Sequence, residues 1–358
     1  MGTASQITAL VQGMSMGRTV SGWLLAALAY AAPASGEPAL SRFEFHQVEM
    51  AVPIKVVLYT ADPATATKAA RAAFDRIHAL NAIMSDYDAT SELRRLGETA
   101  GQGKSVPVSP DLWKVLAYSQ QLSARSQGAF DVTVGPVVRL WRRARRQGEL
   151  PSAAALEAAQ AVVGYRLLRL DAQRQAVELL KPGMRLDLGG IAKGYALDEA
   201  LAALRRSGVT RAMVEAGGDI RLGDPPPDAP GWRVGIPPLD SPTGPPSGYL
   251  VLARVAVSTS GDAMQFLQIG QTRYSHVVDP RTGVGLTDHC RVIVVAPEGM
   301  AADGLTKAVA VLGHQRGLRL IDQTPQTAAQ VTRAPHSQIE QYESVRWKDL
   351  PLVPVAGR

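Results

Sequence analysis

The segment Arg185-Leu186-Asp187-Leu188-Gly189-Gly190-Ile191-Ala192-Lys193-Gly194-Tyr195 sets one carboxylate and one ammonium around a glycine pair, where an apolar strand gives way to a helix. Glycines let backbone approach a ligand closely, and the unpaired N–H groups of a helix start favour negative charge. The chemistry this spacing suits is the grip of an anion, with Asp187 and Lys193 flanking it by opposite signs. A tight strand-to-helix turn with a solvated Lys193 would use the same residues. The segment is neither a Walker A loop, which ends in Lys-Ser or Lys-Thr, nor a Gly-x-Gly-x-x-Gly dinucleotide turn.

Four further segments put small residues next to a polar group at the end of an apolar strand, an arrangement from which ligand sites are built. They are Gly128-Ala129-Phe130-Asp131, Glu215-Ala216-Gly217-Gly218-Asp219, Ser258-Thr259-Ser260-Gly261-Asp262, and Tyr274-Ser275-His276-Val277-Val278-Asp279-Pro280-Arg281-Thr282-Gly283. Each alone has a structural explanation: Asp131 can cap a turn, Asp219 and Asp262 can bond the backbone after their glycines, and Asp279-Pro280 is an ordinary turn. Five such segments in one chain are more than turns require.

The elements that must position them are legible in outline. Ile54 to Tyr59 reads as a strand, and Asp62-Pro63 opens a helix as cap and first residue. Ala70, Ala73, Ile77, Leu80 and Met84 recur along it at helical spacing and form its core stripe. Further helices are predicted over 110–126, 153–162, 196–206 and 302–312, the last stopped by Gly313. Val177 to Leu180 and Met184 to Leu188 read as a hairpin across Lys181-Pro182-Gly183. Strands are also expected at 212–216, 249–257 and 292–296, and the proline-crowded stretch 224–248 as a surface loop broken by a short strand around Trp232-Arg233-Val234. Beyond Gln323 the signal weakens, leaving room for one final strand. No repeat of fixed period occurs. Hairpins mixed with crossovers predict an α+β fold with antiparallel sheet rather than a doubly wound parallel sheet.

Composition narrows the class. The 358 residues are 46% hydrophobic and 20% charged, an ordinary globular balance. The net charge of +6 suits an anionic ligand. Arg139, Arg142, Arg143, Arg145 and Arg146 carry much of it locally and read as a solvated helix face that can touch phosphate. Interleaved aromatics or a known nucleic-acid module are missing, so no nucleic-acid partner is expected. The single cysteine, Cys290, excludes internal disulfides and Cys-x-x-Cys sites and reads as a strand-end residue. At the N-terminus, Arg18 precedes the apolar run Trp23 to Ala29 and then small residues up to Gly36, which predicts an export signal over 1–36. The run is too short to span a membrane comfortably, carries no twin-arginine pair and has no cysteine to accept lipid. The long leader before Arg18 is consistent with a start at Met14 or Met16.

Taken in order, Met84-Ser85-Asp86-Tyr87 with Ser91-Glu92-Leu93, Gly128 to Pro136, Asp187 to Tyr195, Gly217-Gly218-Asp219-Ile220, Ser258 to Asp262, Ser275 to Gly283 and Ala302-Asp303-Gly304-Leu305 resemble the ApbE family, the FAD:protein FMN transferases. The resemblance covers residues 46 to 322, so a domain over 40–322 and an extension over 323–358 are expected. It implies an ApbE-like fold of mixed and antiparallel sheets flanked by helices, in two intimately packed subdomains. It also implies a magnesium-dependent reaction outside the cytoplasm, in the periplasm or on the outer face of the membrane. FAD is split at its pyrophosphate, AMP leaves, and FMN is joined as a phosphoester to Thr or Ser of an exported acceptor, typically a subunit of a redox complex. The membrane is then met only through the acceptor.

By motif position the resemblance assigns FAD contacts to Met50, Tyr87, Ala129, Phe130, Asp131, Asp187, Lys193 and Leu286. The family's usual Met-Gly-Thr here reads Met50-Ala51-Val52. His276 is the candidate for activating the acceptor hydroxyl or gripping a phosphate, since imidazole near neutral pH can do either. A buried structural histidine is the competing reading, and Asp262 is a second catalytic candidate. For Mg²⁺ the resemblance implies the carbonyl of Gly190, Asp303, and commonly a Ser or Thr four residues further on. Here that position is Lys307, with Thr306 one residue earlier on a reachable helix face. Lys307 either swings to solvent or replaces some of the metal's charge. Two other functions share these residues: a flavin-binding protein without transfer, and an FAD pyrophosphatase.

Overall fold

Asp62 opens the first helix as expected, its carboxylate accepting from the N–H groups of Ala64 (3.2 Å) and Thr65 (2.7 Å), with Pro63 in the first turn. The computed structural model describes residues 39–241, 244–261, 265–335 and 338–354. In chain order the first half comprises β1 (Ser41–Glu49), β2 (Val52–Thr60), α1 (Pro63–Met84), α2 (Glu92–Glu98), β3 (Val106–Pro107), α3 (Pro110–Arg125), α4 (Gly135–Gln147), α5 (Ala153–Gln160), β4 (Leu168–Asp171), β5 (Ala176–Leu179) and α6 (Ala192–Arg206). The second comprises β6 (Ala212–Ala216), β7 (Asp219–Leu222), β8 (Trp232–Ile236), β9 (Gly248–Leu252), β10 (Ala256–Gly261), β11 (Phe266–Ile269), β12 (Thr272–Ser275), β13 (Cys290–Ala296), α7 (Gly299–Asp322), β14 (Ala328–Arg333), β15 (Glu340–Glu343) and β16 (Leu352–Pro354).

The principal sheet has eight strands in the order β1-β2-β6-β7-β10-β13-β14-β15, and its neighbours pair antiparallel. Period-2 alternation assigns its faces. Ile54, Val56 and Leu58 of β2 and Val292, Val294 and Ala296 of β13 turn toward α1, α6 and α7 in the larger core. The intervening Val57, Ile293 and Val295 face the opposite way, against Trp232, Val234, Leu250 and Leu252 of the small β16-β9-β8 sheet. On the helical side Arg76 of α1 binds Asp111 at 2.5 Å and Glu199 at 2.8 Å, and the Tyr195 hydroxyl donates to Asp111 at 2.6 Å, so α1, α3 and α6 are tied together. A third core joins α4 and α5 to the β11-β12 hairpin around Val137, Trp141 and Leu267. The expected α+β class is what the chain adopts, and the described residues from Ala39 onward belong to one compact unit.

Four elements differ from the sequence-based expectation. Met184 to Leu188 does not form a hairpin with β5, because β3 and β4 already occupy both edges of β5. It runs instead beside 132–134, with Asp187 N–H donating to the Val132 carbonyl at 2.8 Å and a parallel bridge from Val134 to Arg185. The stretch 249–257 breaks at Arg254, whose φ is +59°, into β9 in the small sheet and β10 in the large one. The last helix starts at Gly299 and resumes beyond Gly313, which breaks it in the middle with φ 74° and ψ 169°. The chain after Gln323 contributes β14 and β15 to the principal sheet and β16 to the small one.

The turn between β1 and β2 is two residues long, and both adopt positive φ: Met50 at 51° and Ala51 at 61°. Two-residue hairpin turns ask for this conformation, which a Cβ disfavours by roughly 1–2 kcal/mol. Ala51→Gly removes that penalty at a smaller cost in unfolded-chain entropy. It should raise stability by about 0.5–1 kcal/mol, read as a higher urea midpoint at constant m. An unchanged or lower midpoint would mean that the methyl group of Ala51 makes contacts outweighing the strain.

Candidate active site

Two helices meet at the glycines Gly194 of α6 and Gly299 of α7. A Cβ on either would run into the other's carbonyl oxygen, so only glycine lets the helices cross this closely. Asp198 of α6 completes the junction by accepting from the Gly299 and Met300 N–H groups at 2.8 and 2.9 Å, capping α7. The crossing brings Asp303, fully buried on α7, against the start of α6, where it accepts from the Gly194 N–H at 3.2 Å. Gly189 N–H in turn donates to the Asp187 carboxylate at 2.8 Å. The N–H groups of the glycine-rich turn thus hold two anions, both of them the protein's own carboxylates.

Around Asp303 lies an alternating cluster of charges. Lys307, one turn further along α7, reaches its Oδ1 at 2.6 Å, and Lys193 lies 3.6 Å from its Oδ2 and 2.8 Å from Asp219 Oδ2. Ser258 of β10 donates to Asp219 Oδ1. Burial alone would raise the Asp303 carboxyl, but the two ammonium groups hold it below the usual carboxylate range. Burial would likewise lower Lys193, and the Asp219 and Asp303 carboxylates outweigh it and push it up. Both shifts favour the charged forms, so Asp303 is a carboxylate and Lys193 an ammonium at neutral pH.

The residues expected to hold a metal are brought together here. The Lys307 stem lies on Gly190, 3.2 Å from where a Cβ of that glycine would stand, and its Nζ is 3.1 Å from Thr306 Oγ1. Thr306 donates its own hydroxyl proton to the Asp303 carbonyl at 2.7 Å. Phe130 closes the other side of Gly190 and Gly304. The donor set therefore has an ammonium already seated on it. A divalent ion about 4 Å from that ammonium would be repelled by on the order of 8 kcal/mol at an effective dielectric near 20. Among the described residues no three His, Cys, Asp or Glu side chains cluster as metal ligands. As arranged, the site does not fit magnesium.

His276 follows β12. Its backbone N–H donates to the Gln265 carbonyl at 3.0 Å, and its Nδ1 lies 3.2 Å from the same oxygen. A carbonyl only accepts, so Nδ1 carries the proton and Nε2 keeps its lone pair. Burial, reinforced by the charges of Lys307, Arg145 and Lys193, lowers its pKa to about 4. Leu286 accepts from Ser275 N–H at 2.7 Å and donates to the Val277 carbonyl at 2.9 Å, which fixes the backbone on both sides of His276. Asp262, the other catalytic candidate, lies outside the described residues.

A second part of the site opens beside α4. Asp187 is buried and pairs with Arg142 at 2.8 Å, and Arg142 also pairs with Asp86. Burial pushes the Asp187 carboxyl up while Arg142 opposes the shift. The Arg142 guanidinium sits 4.5 Å from the ring centre of Tyr87, whose other face is open, the residue being 73% exposed. An open cavity of about 270 Å³ lies here, lined by Tyr87, Arg94, Arg139, Arg142, Arg146 and Arg185. Asp131 differs in kind: its carboxylate accepts from the Thr133 N–H and hydroxyl at 2.8 and 2.7 Å, so it shapes the turn that carries the buried Ala129 and Phe130. Met50 sits at the β1–β2 turn, and the Gly217-Gly218 turn neighbours it through Val52, 3.3 Å from a Cβ position on Gly217.

Sequence reasoning assigns no individual role to Arg142, Asp86, Asp219 or Ser258, although the last three lie in segments to which it points. One signal was available for the first: Arg139, Arg142 and Arg146 recur at i, i+3 and i+7 and so share a helix face. That face lines the cavity, and only part of the arginine run is solvated.

Known proteins share this sequence pattern and this fold. The family model described as the ApbE family matches residues 50–331. The FAD:protein FMN transferase of Haemophilus influenzae is 32% identical over 249 residues, 68% of this chain and 72% of its own length. That of Vibrio cholerae is 30% identical over 273 residues, 74% of this chain and 80% of its own length. Among solved structures, the flavin transferase ApbE from Vibrio cholerae superposes with a TM-score of 0.76 at 28% identity, covering 87% of this chain and all of its own. The apo flavinyl transferase ApbE from Pseudomonas stutzeri gives 0.76 at 27% identity, covering 87% of this chain and 97% of its own. Because the family model spans most of the chain and the fold superposes on solved members along nearly their whole length, the chain belongs to the ApbE family.

Proposed function

We propose that this protein is an FAD:protein FMN transferase that joins FMN through a phosphoester to a Thr or Ser of an exported acceptor, a subunit of a redox complex. The observation that carries the reading is His276, a neutral imidazole with its Nε2 lone pair available beside the cationic groups Lys307 and Lys193. The acceptor oxygen attacks the phosphorus on the FMN side of the diphosphate, and its proton passes to His276 Nε2. The bond from that phosphorus to the bridging oxygen breaks, and AMP departs with that oxygen and its charge. In this reading Lys193 and Lys307 meet the diphosphate charge, while Tyr87 and Arg142 offer aromatic and cationic surface to the rest of FAD. Magnesium, which the family resemblance implies, would need the Asp303 carboxylate, and Lys307 already engages it. Export through the leader at 1–36, which lies outside the described residues, would place the reaction in the periplasm or on the outer face of the membrane, and the membrane would be met only through the acceptor.

The test is to mix purified protein, FAD, Mg²⁺ and an exported flavin-acceptor domain, and to follow flavin fluorescence in a denaturing gel with an FMN-sized mass increase. Labelled acceptor supports transfer. Release of AMP and FMN without labelling marks a pyrophosphatase, and copurifying intact FAD marks a binding protein. Run across pH, kcat/KM should stay level well below the ordinary histidine value near 6.5 and fall only toward about pH 4, because a base with a lowered pKa stays deprotonated to lower pH. The acid limb of kcat should lie higher, since bound diphosphate favours the imidazolium. An acid limb of kcat/KM near 6.5 would remove His276 as the base.

A further inference from the structure

We infer that Lys307 is a tethered cation that takes the place of a divalent metal in this site, so that the protein cleaves FAD without one. Lys307 stands four residues beyond Asp303, and its ammonium is directed inward onto the buried carboxylate at 2.6 Å, with its stem across Gly190. Its surroundings are complete as a charge balance. Asp219 and Asp303 supply two negative charges, Lys193 and Lys307 two positive ones, and every one of these carboxylate–ammonium contacts is 3.6 Å or shorter. A divalent ion would add two charges to a balanced, largely buried cluster, and would have to displace Lys307 from the oxygen it needs.

The geometry also states what the ammonium does. Of its three N–H donors, one goes to Asp303 Oδ1 and one to Thr306 Oγ1 at 3.1 Å. Thr306 can accept because its own proton is committed to the Asp303 carbonyl. The third donor remains for an oxygen of an anionic ligand, and the helix scaffold holds it there without any ion being recruited from solution. The diphosphate of FAD is such a ligand. This part of the inference rests on the transferase reading, whereas the exclusion of the metal does not.

The experiment uses the full-length protein and has two readouts. Mn²⁺ is titrated and followed by EPR with and without FAD, and AMP release from FAD in the presence of the exported acceptor domain is followed in EDTA or in added Mg²⁺. Wild type should leave Mn²⁺ free in solution and release AMP at a rate that EDTA and Mg²⁺ change by no more than about twofold. Lys307→Ser frees the Asp303 oxygen and supplies a hydroxyl, and it should bind Mn²⁺ and release AMP only when metal is added. Lys307→Ala in EDTA should lose roughly 10²–10³ in rate, the cost of one oriented donor at developing charge. Stoichiometric Mn²⁺ binding by wild type, or AMP release that EDTA abolishes and Mg²⁺ restores, would overturn the inference, and neither measurement needs a variant to fold. If wild type releases no AMP under any condition, it is the transferase reading that fails, and the Mn²⁺ comparison still decides whether Lys307 excludes metal.

Discussion

Replacing His276 with alanine should lower the rate of FMN transfer by roughly 10²–10⁴-fold while leaving FAD affinity within about threefold of wild type. The asymmetry follows from the protonation state. The imidazole is neutral, its pKa lowered to about 4, so it contributes no positive charge to the bound diphosphate that its removal would forfeit. Its Nδ1–H is fixed on the Gln265 carbonyl, which aims the Nε2 lone pair at one place. Its effect should therefore be felt when the acceptor hydroxyl loses its proton, and much less when FAD binds. Single-turnover labelling of the acceptor gives the rate, and quenching of flavin fluorescence gives the affinity. In the variant the hydroxyl must ionise without help, so its rate should climb close to tenfold per pH unit where wild type is level. Affinity and rate falling together would instead place His276 on a phosphate of the substrate.

The sequence is legible where the cause of a signal is local. Asp62-Pro63 starts α1 because a carboxylate cap and a missing N–H act within one turn. The apolar stripe ending at Met84 buries because 3.6-residue spacing puts it on one face. What could not be read depends on which element comes to meet a residue. Gly194 closes a segment whose glycines suit close approach to a ligand, and it admits another helix, since a missing Cβ makes room without specifying for whom. Met184 to Leu188 has the apolar character of a strand but finds the edges of β5 occupied, so it lines up along 132–134. Arg142 sits in a run of arginines that are individually unremarkable, and only the approach of Asp86 and Asp187 from distant segments singles it out. Lys307 is the sharpest case. Its four-residue spacing from Asp303 permits contact, and the closeness of α6 and α7 is what turns that possibility into a buried ion pair.

Asp303→Asn should lower the stability of the folded protein by about 3–5 kcal/mol, the range found when one partner of a buried ion pair is removed. The asparagine oxygen can still accept from the Gly194 N–H, so the hydrogen bond across the helix crossing survives and the loss isolates the charge. Lys193 would keep Asp219 at 2.8 Å, whereas Lys307 would lose the carboxylate 2.6 Å from its ammonium in a site from which water is largely excluded. The double variant Asp303→Asn with Lys307→Met removes both members of that pair and should recover most of the loss, because no unpaired charge then stays buried. Urea unfolding of the four proteins in this cycle measures the coupling. The sign of its pH dependence is fixed by the Asp303 carboxyl, which the two ammonium groups hold below its ordinary value. A carboxyl whose pKa is lowered on folding contributes its stability in full above the unfolded value near 3.9 and loses it as pH falls through the folded one. Wild type and Asp303→Asn should therefore differ by a constant amount from neutral pH down to about pH 5 and converge only in stronger acid. A single variant that costs less than about 1 kcal/mol, or a gap that closes already near neutral pH, would show that the charges around Asp303 do not hold the crossing together.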